Sequence, residues 1–341
     1  MEKFKIVSDP NSREFCSTKI IIDQVNSAAK KLDLYSENGK VVVYDCLGQK
    51  FNYNPDAFWV AYELPFPQFI TNNCKPKTII GLSKDNALFA AYGGYPIDKI
   101  QYVTLGVNSE NWPYIENKKY IKDKFVFTCM CESNTRSGFD ILIPAFCEAF
   151  KGNKNILLYI KDREATQVFK QWVKEMSEKY DCNILHDDRH LSNWEDQVKI
   201  FEGTDVAINI NRSHTFGMVN LQGMSCGIPT ICQRYSGFTD YTSDLSNISL
   251  KFDIVKVTQE KINYLSSIGM KNHLFPINDS TYPFEPFWSE VDKEDLKTKM
   301  ISIIENSHKR DNLKIISKLV ASWFTWERTA ANMSYVLKNL N

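Results

Sequence analysis

Short apolar runs alternate with longer amphipathic segments along most of the chain, and this pattern predicts an α/β protein. The first half contains five strand-like runs, at residues 4–8, 41–45, 58–62, 78–82 and 100–105. Between the first two lies a segment, 17–32, whose apolar residues recur at helical spacing behind the capping residues Ser17 and Thr18. Strands that alternate with helices favour a parallel sheet.

The second half repeats this alternation. Strands are predicted at 125–131, 156–160, around 184 and at 206–209, with helices at 139–150, 164–180 and 194–202. Gly, Ser, Asn, Asp and Pro punctuate residues 236–296, which predicts a loop-rich insertion. The polar, basic stretch 115–124 indicates a linker. We therefore expect two Rossmann-like doubly wound domains facing a cleft, over residues 1–118 and 119–325.

Composition narrows the class of protein. The chain has 341 residues, with 41 basic and 41 acidic side chains, so no global field attracts nucleic acid or an anionic membrane. No apolar run approaches the roughly 18 residues that a membrane helix needs, and the first residues lack the apolar core of a signal peptide. Nine cysteines without framework spacing are typical of reduced thiols. A soluble, cytoplasmic protein is expected.

The most informative segment runs from His214 to Ile231. Gly217 precedes a predicted helix at 220–225, and the N–H groups and dipole at a helix N-terminus favour an anion. Gly227 follows the helix and supplies a left-handed C′ residue, while Pro229 prevents continuation. The segment is predicted to be a loop, a short helix and a strand, with room for a diphosphate at the helix start.

This segment resembles the signature of the retaining GT-B glycosyltransferases of the large group 1 family. Phe216-Gly217 and residues 224–229 match closely, whereas His214 and Gln222 replace the two acids of the signature. Residues 81–84, 103–108, 134–146 and 324–330 resemble further family segments in the same order, so the resemblance covers about 80–341. It implies an N-terminal acceptor domain, a nucleotide-sugar domain and a final helix, 326–341, that crosses back to the first domain.

The resemblance also implies site residues. Arg136 and Lys161 would stabilise the departing diphosphate, and Glu63 would orient the acceptor hydroxyl or accept its proton. The donor would contact His214, Thr215, Phe216, Gly217, Met218, Gln222, Arg163 and Asp240.

Each role has a structural alternative. Lys and Arg side chains are usually solvated surface cations, Glu63 could cap the loop that follows it, and Asp240 could cap its own loop. His214 contacts sugar hydroxyls or fills a turn. Gln222 can still exchange hydrogen bonds with ribose hydroxyls, without the charge of an acid.

No metal or resident cofactor is expected. Cys129 and Cys131 alternate within one strand, and the polar run 186–190 is interpreted as a solvent-facing turn. The expected co-substrate is a nucleotide sugar, with UDP as the nucleotide.

The sequence therefore predicts a retaining, metal-independent hexosyl- or pentosyltransferase that acts on a saccharide or lipid-linked hydroxyl. An alternative acceptor is a hydroxymethylated base in DNA, since Lys118, Lys119, Lys122 and Lys124 are expected to border the cleft. A second alternative is a binding or scaffold protein that has lost catalysis with the two signature acids. The oligomeric state, the sugar and the acceptor stay open.

Overall fold

The computed structural model describes residues 1–7, 17–45, 55–60, 77–92, 94–191, 193–272 and 286–340. Glu63 and most of the first predicted loop, 9–17, lie outside these residues. Within them, no helix has the length and apolarity needed to span a bilayer.

Five strands of the described N-terminal part form a parallel sheet in the order β1-β2-β3-β4-β5. They are β1 (Phe4–Val7), β2 (Lys40–Asp45), β3 (Ala57–Val60), β4 (Thr78–Gly81) and β5 (Ile100–Tyr102). Two helices accompany them, α1 (Ser17–Lys31) and α2 (Lys84–Tyr92). Every residue of β3 and β4 is buried, as expected for parallel strands covered on both faces.

A second parallel sheet has the order β11-β10-β9-β6-β7-β8. Its strands are β6 (Phe125–Met130), β7 (Ile156–Lys161), β8 (Asn183–Asp187), β9 (Val206–Asn209), β10 (Thr230–Gln233) and β11 (Ile248–Leu250). The connecting helices are α3 (Phe139–Ala149), α4 (Gln167–Tyr180), α5 (Trp194–Phe201) and α6 (Met218–Ser225). The chain runs outward in one direction from β6 and in the other from β9. The boundary between β6 and β9 is therefore the switch point at which doubly wound sheets bind ligands.

Two helices that connect strands of the second sheet begin directly after a capping residue. The predicted helix at 164–180 begins instead at Gln167, because Thr166 Oγ1 accepts a hydrogen bond from Phe169 N at 3.1 Å and so acts as the N-cap. Asn193 caps α5 in the same way, through Asp196 N at 2.9 Å.

The described residues of the predicted loop-rich insertion at 236–296 include several short helices and strands. This region contains a 3₁₀ helix (Ser236–Asp240), β11, an antiparallel pair formed by β12 (Phe252–Lys256) and β13 (Phe287–Val291), and α7 (Gln259–Ser267). The polar residues mark the ends of short elements rather than one long loop. Thr258, for example, caps α7 by accepting from Lys261 N at 3.2 Å.

The chain ends with α8 (Lys293–Glu305), α9 (Ser307–Ala321) and α10 (Trp326–Lys338). Helix α10 packs against the first sheet and α1, where Ser334 Oγ donates to Glu2 O at 2.7 Å. Gly106, after β5, lies against the start of α10 so closely that a Cβ there would come within 2.7 Å of Thr325 O. One apolar cluster therefore continues from β1 and α1 through α10 to α6.

Candidate functional site

The loops that follow β6 and β9 meet at the switch point of the second sheet. Arg212 N donates to Arg136 O at 2.7 Å, so the loop that carries Arg136 contacts the loop that leads to His214. Helix α6 begins directly after this second loop. Arg136 follows β6 and the 214–217 segment follows β9, so the parallel pairing of these two strands brings both loops to the same edge of the sheet.

Gly217 is the N-cap of α6 and has a φ of +81°, a conformation that favours glycine. Its O accepts from Asn220 N at 3.0 Å and from Tyr241 OH at 2.8 Å. A Cβ at this position would collide with the Phe238 ring. Packing of Phe238 thus requires the glycine, in addition to any approach of a ligand. The first-turn N–H groups and the positive end of the α6 dipole stand at the carboxyl edge of the sheet.

The other end of α6 agrees with the sequence. Gly227 adopts a φ of +76° and donates to Met224 O at 2.9 Å, as predicted for a left-handed C′ residue. A Cβ here would come within 2.5 Å of the Tyr114 ring, so side-chain packing also excludes other residues.

His214 and Arg136 lie close together beside α6 and differ in charge. Burial and the neighbouring Arg136 charge lower the pKa of His214 to about 3, so the imidazole is neutral at physiological pH. Its Nε2 lies against the Asn211 amide, and its ring meets Phe238 edge-on at 5.1 Å. Burial lowers the pKa of Arg136 to about 10, which leaves the guanidinium charged at neutral pH. The site thus combines a cation with a neutral ring.

Lys161 ends β7 as predicted, but its ammonium contacts protein atoms. The side chain is 7% exposed, and Nζ donates to Asp187 O at 3.1 Å and to Arg189 O. These bonds hold the turn after β8. Arg163, in contrast, lies at the surface, with 45% of its side chain exposed and Glu132 at 3.4 Å.

Phe216 is a core residue, 1% exposed, whose ring packs on Tyr241 at 5.2 Å between centroids. Thr215 and Met218, on either side, are half-buried. The proposed contact of Phe216 with the donor would therefore involve its backbone. Gln222, on α6, accepts a hydrogen bond from Gln197 Nε2 at 2.9 Å, so its Oε1 is engaged with α5.

Asp240, at the end of the 3₁₀ helix, contacts the start of α2 in the N-terminal half of the chain. Its Oδ2 accepts from Lys84 N, the first residue of α2, at 3.1 Å. Burial raises the pKa of Asp240 to about 6, with a further contribution from the nearby Asp85 carboxylate. Thr239 Oγ1 donates to Asp85 in the opposite direction, at 3.4 Å. The 3₁₀ helix behind the 214–217 loop is therefore docked on the start of α2.

The polar run 186–190 forms ion pairs with neighbouring side chains. Asp187 binds Arg189 through two nitrogens, at 2.9 and 2.8 Å, and Asp188 pairs with Lys170. His186 Nε2 lies 3.8 Å from Asp162 Oδ2. Among the described residues, no three His, Cys, Asp or Glu side chains are grouped as metal ligands would be.

Sequence reasoning missed the buried ion network that supports these loops. Arg212, 1% exposed, binds both oxygens of Asp140 at 2.8 Å, and Lys261 reaches the same carboxylate at 3.0 Å. Glu290 pairs with Lys261 at 2.9 Å and lies 3.4 Å from Arg212 Nε. Arg212 Nη1 also donates to Thr135 O at 3.2 Å. The only sequence signal was a basic residue two positions before His214.

The lysines expected to border the cleft lie elsewhere. Lys124 directly precedes β6, so the run occupies the amino edge of the sheet, whereas Arg136 follows the carboxyl end of that strand. Lys118 pairs with Asp205 and Lys119 with Glu202, while Lys118 and Lys122 line a shallow groove of about 520 Å³ at that edge. The prediction was wrong because six residues of strand separate the two edges by about 20 Å. The observation that favoured a DNA acceptor is thereby removed.

Comparison with known proteins adds two findings. A family model described as glycosyl transferases group 1 matches residues 112–273, which include β6 to β10 and α6. No curated protein matches the chain.

Among solved structures, HepE from Anabaena in complex with UDP and glucose superposes with a TM-score of 0.65 at 11% identity, over 100% of both chains. WaaG, a glycosyltransferase involved in lipopolysaccharide biosynthesis, gives 0.62 at 11% identity over 99% of each chain. The pneumococcal O-GlcNAc transferase GtfA with UDP and GlcNAc gives 0.56 at 13% identity, over 93% of this chain and 60% of that one. These similarities confirm the predicted fold, two Rossmann-like domains of the GT-B type.

Proposed function

We propose that the protein transfers a hexosyl or pentosyl group from a UDP-sugar to a saccharide or lipid-linked hydroxyl acceptor, with retention of anomeric configuration and without a metal ion. The observation that carries the proposal is the placement of charged Arg136 beside the 214–217 loop and the start of α6, inside the segment that matches the group 1 family. Similarity to structures that contain UDP and sugars supports the choice of donor.

The chemistry follows from the charge of the leaving group. As the bond between the sugar and the diphosphate breaks, negative charge accumulates on the diphosphate, and preorganised donors that are stronger partners for that state lower the barrier. The α6 N–H groups and the Arg136 guanidinium would provide such donors. Lys161 would act as a positioning residue, because its ammonium holds the turn after β8 through the carbonyls of Asp187 and Arg189.

The proposal assigns the remaining residues to binding the donor or the acceptor. Residues 119–325 would bind the donor and residues 1–118 the acceptor, with 326–341 joining the two. Gln222 would face the ribose, and neutral His214 would border the sugar. Glu63 would orient the acceptor hydroxyl or accept its proton. Retention implies that the acceptor oxygen attacks from the face that the diphosphate leaves.

Nucleotide release tests the proposal. Purified protein is incubated with UDP-glucose, UDP-GlcNAc and GDP-mannose, with and without saccharide acceptors and EDTA, and free nucleotide is measured. Arg136→Ala should lower release by about 10²–10³-fold, the loss typical of removing one donor that stabilises a developing anion. Arg136→Lys should retain part of the activity, because the charge remains without the planar fork.

The matched control is Lys174→Ala, on the outer side of α4, whose side chain is 67% exposed and 3.8 Å from Glu178. It should release nucleotide at the wild-type rate. UDP binding without turnover would favour the scaffold alternative, and absence of both binding and turnover across the panel would refute the proposal. Dependence on a divalent ion, or a product of inverted configuration by NMR, would overturn the corresponding part.

A further inference from the structure

Large apolar side chains occupy the outward side of α9. Ile315 and Leu319 are 62% and 61% exposed, and Trp323, two residues beyond the helix end, is 63% exposed. Their four-residue spacing places neighbouring members along one side of the helix. The opposite side contains the buried residues Leu313, Ser317 and Ala321. Helix α9 thus has an apolar row facing solvent as well as one facing the core.

We define the α9 apolar surface as Ile315, Leu319 and Trp323. Scattered exposed apolar residues are ordinary, but a grouped set marks a surface that binds a partner.

The segment that carries this surface has a positive net charge. Residues 307–323 contain four basic side chains, Lys309, Arg310, Lys314 and Lys318, and one acidic side chain, Asp311, for a net charge of +3. The whole chain has a net charge of zero. Lys314 and Lys318 lie over the Tyr114 ring, with Nζ at 5.9 and 4.5 Å from its centroid, so both are held on one side of α9.

We propose that the α9 apolar surface binds the headgroup region of an anionic lipid bilayer. A tryptophan with branched aliphatic residues, flanked by lysines, fits the boundary between anionic headgroups and acyl chains, where apolar burial and electrostatic attraction act together. A second copy of the chain fits less well, because a two-fold contact would bring the two positively charged α9 helices together. This inference does not depend on the proposed transferase activity.

Vesicle cosedimentation tests the inference. The full chain is mixed with phosphatidylcholine vesicles with or without phosphatidylglycerol, and bound protein is measured at low salt and at about 1 M NaCl, where the screening length falls to about 3 Å. Binding should require phosphatidylglycerol and weaken at high salt. The triple variant Ile315→Ser, Leu319→Ser, Trp323→Ser should bind more weakly by at least about tenfold, since it loses most of the buried apolar area.

The matched control removes three exposed apolar side chains elsewhere, through Val168→Ser, Leu185→Ser and Ile254→Ser, which are 55%, 47% and 51% exposed. This control should bind vesicles like the wild type. Wild-type protein that ignores both vesicle types, or a triple variant that binds equally well, would overturn the inference. The inference would also be overturned if the wild type did not bind vesicles but formed a dimer, detected by sedimentation velocity, that the triple variant lost. Binding of the wild type to an acidic protein but to neither type of vesicle would overturn it as well.

Discussion

The buried ion pair between Arg212 and Asp140 is predicted to contribute strongly to the free energy of unfolding, and a single substitution tests this. The proposed perturbation is Arg212→Met, which removes the guanidinium and keeps an unbranched side chain against Trp288, whose ring now lies 4.9 Å from the guanidinium carbon. Arg212 and Asp140 side chains are 1% and 2% exposed, so solvent screens their interaction little.

The expected loss follows from the contacts. Removing one partner of a buried ion pair costs about 3–5 kcal/mol, because the other charge stays buried without compensation. Here Lys261 remains 3.0 Å from Asp140, so we expect the lower end, about 3 kcal/mol. A loss of this size is a large part of the roughly 5–15 kcal/mol that holds a domain folded. Urea unfolding, followed by circular dichroism, measures it.

The effect should depend on pH with a defined sign. Burial alone would raise the pKa of Asp140, but the Arg212 charge and its hydrogen bonds outweigh burial and lower it below the ordinary value. The pair's stabilisation is therefore present above the unfolded carboxyl pKa and is lost as pH falls through the folded pKa. Arg212→Met removes the largest contribution that lowers the pKa of Asp140, so acid protonates Asp140 in the folded variant more readily than in the wild type. The gap between wild type and variant should narrow on acidification.

Two comparisons make the prediction refutable. The double variant Asp140→Leu, Arg212→Met leaves Lys261 paired with Glu290 at 2.9 Å and should recover most of the loss. Lys174→Ala, which breaks the exposed pair with Glu178, should cost less than about 0.5 kcal/mol. If Arg212→Met unfolds at the wild-type urea concentration, or if the double variant is no more stable than Arg212→Met, the assigned coupling is wrong.

Three further predictions use the same unfolding assay. Gly227→Ala should lose more stability than Gly152→Ala: both residues have a positive φ, which costs about 1–2 kcal/mol, but only Gly227 faces a ring that the new methyl would meet; equal losses would contradict the packing argument. Asp240 has a raised pKa of about 6, so its contribution to stability should fall as pH rises from about 4 to about 7, and Asp240→Asn should remove that component of the slope. Lys161→Met should cost about 1–3 kcal/mol because the carbonyls of Asp187 and Arg189 lose their donor, whereas exposed Arg163→Met should change stability by less than about 0.5 kcal/mol.

Local patterns predicted most of the fold. The strand at Val206–Asn209 was placed at its observed bounds, and the other predicted strands differ from the observed ones by a few residues at their ends. These predictions succeed because apolar periodicity and capping preferences depend on residues close together in the sequence. The short strands within 236–296 were not predicted, since short strands separated by polar residues have too few positions to show a period.

The candidate site was predicted in part. The family resemblance named Arg136 and the 214–217 segment as candidate site residues, and the left-handed residue at Gly227 followed from its position after a short helix. The contacts of Lys161 could not be predicted, because the carbonyls that hold its ammonium belong to a turn 26 and 28 residues further along the chain.

The sequence by itself therefore determined the alternation of strands and helices and the glycine-bounded start and end of α6. Only the tertiary structure decided how the charges of the second domain pair. Arg212 and Asp140 are 72 residues apart in the sequence, and the identity of neither residue predicts which opposite charge it will contact. Burial forces such pairing, because an ionised side chain removed from water must contact an opposite charge or hydrogen-bonding groups that replace its hydration. Which groups are available depends on how the elements pack.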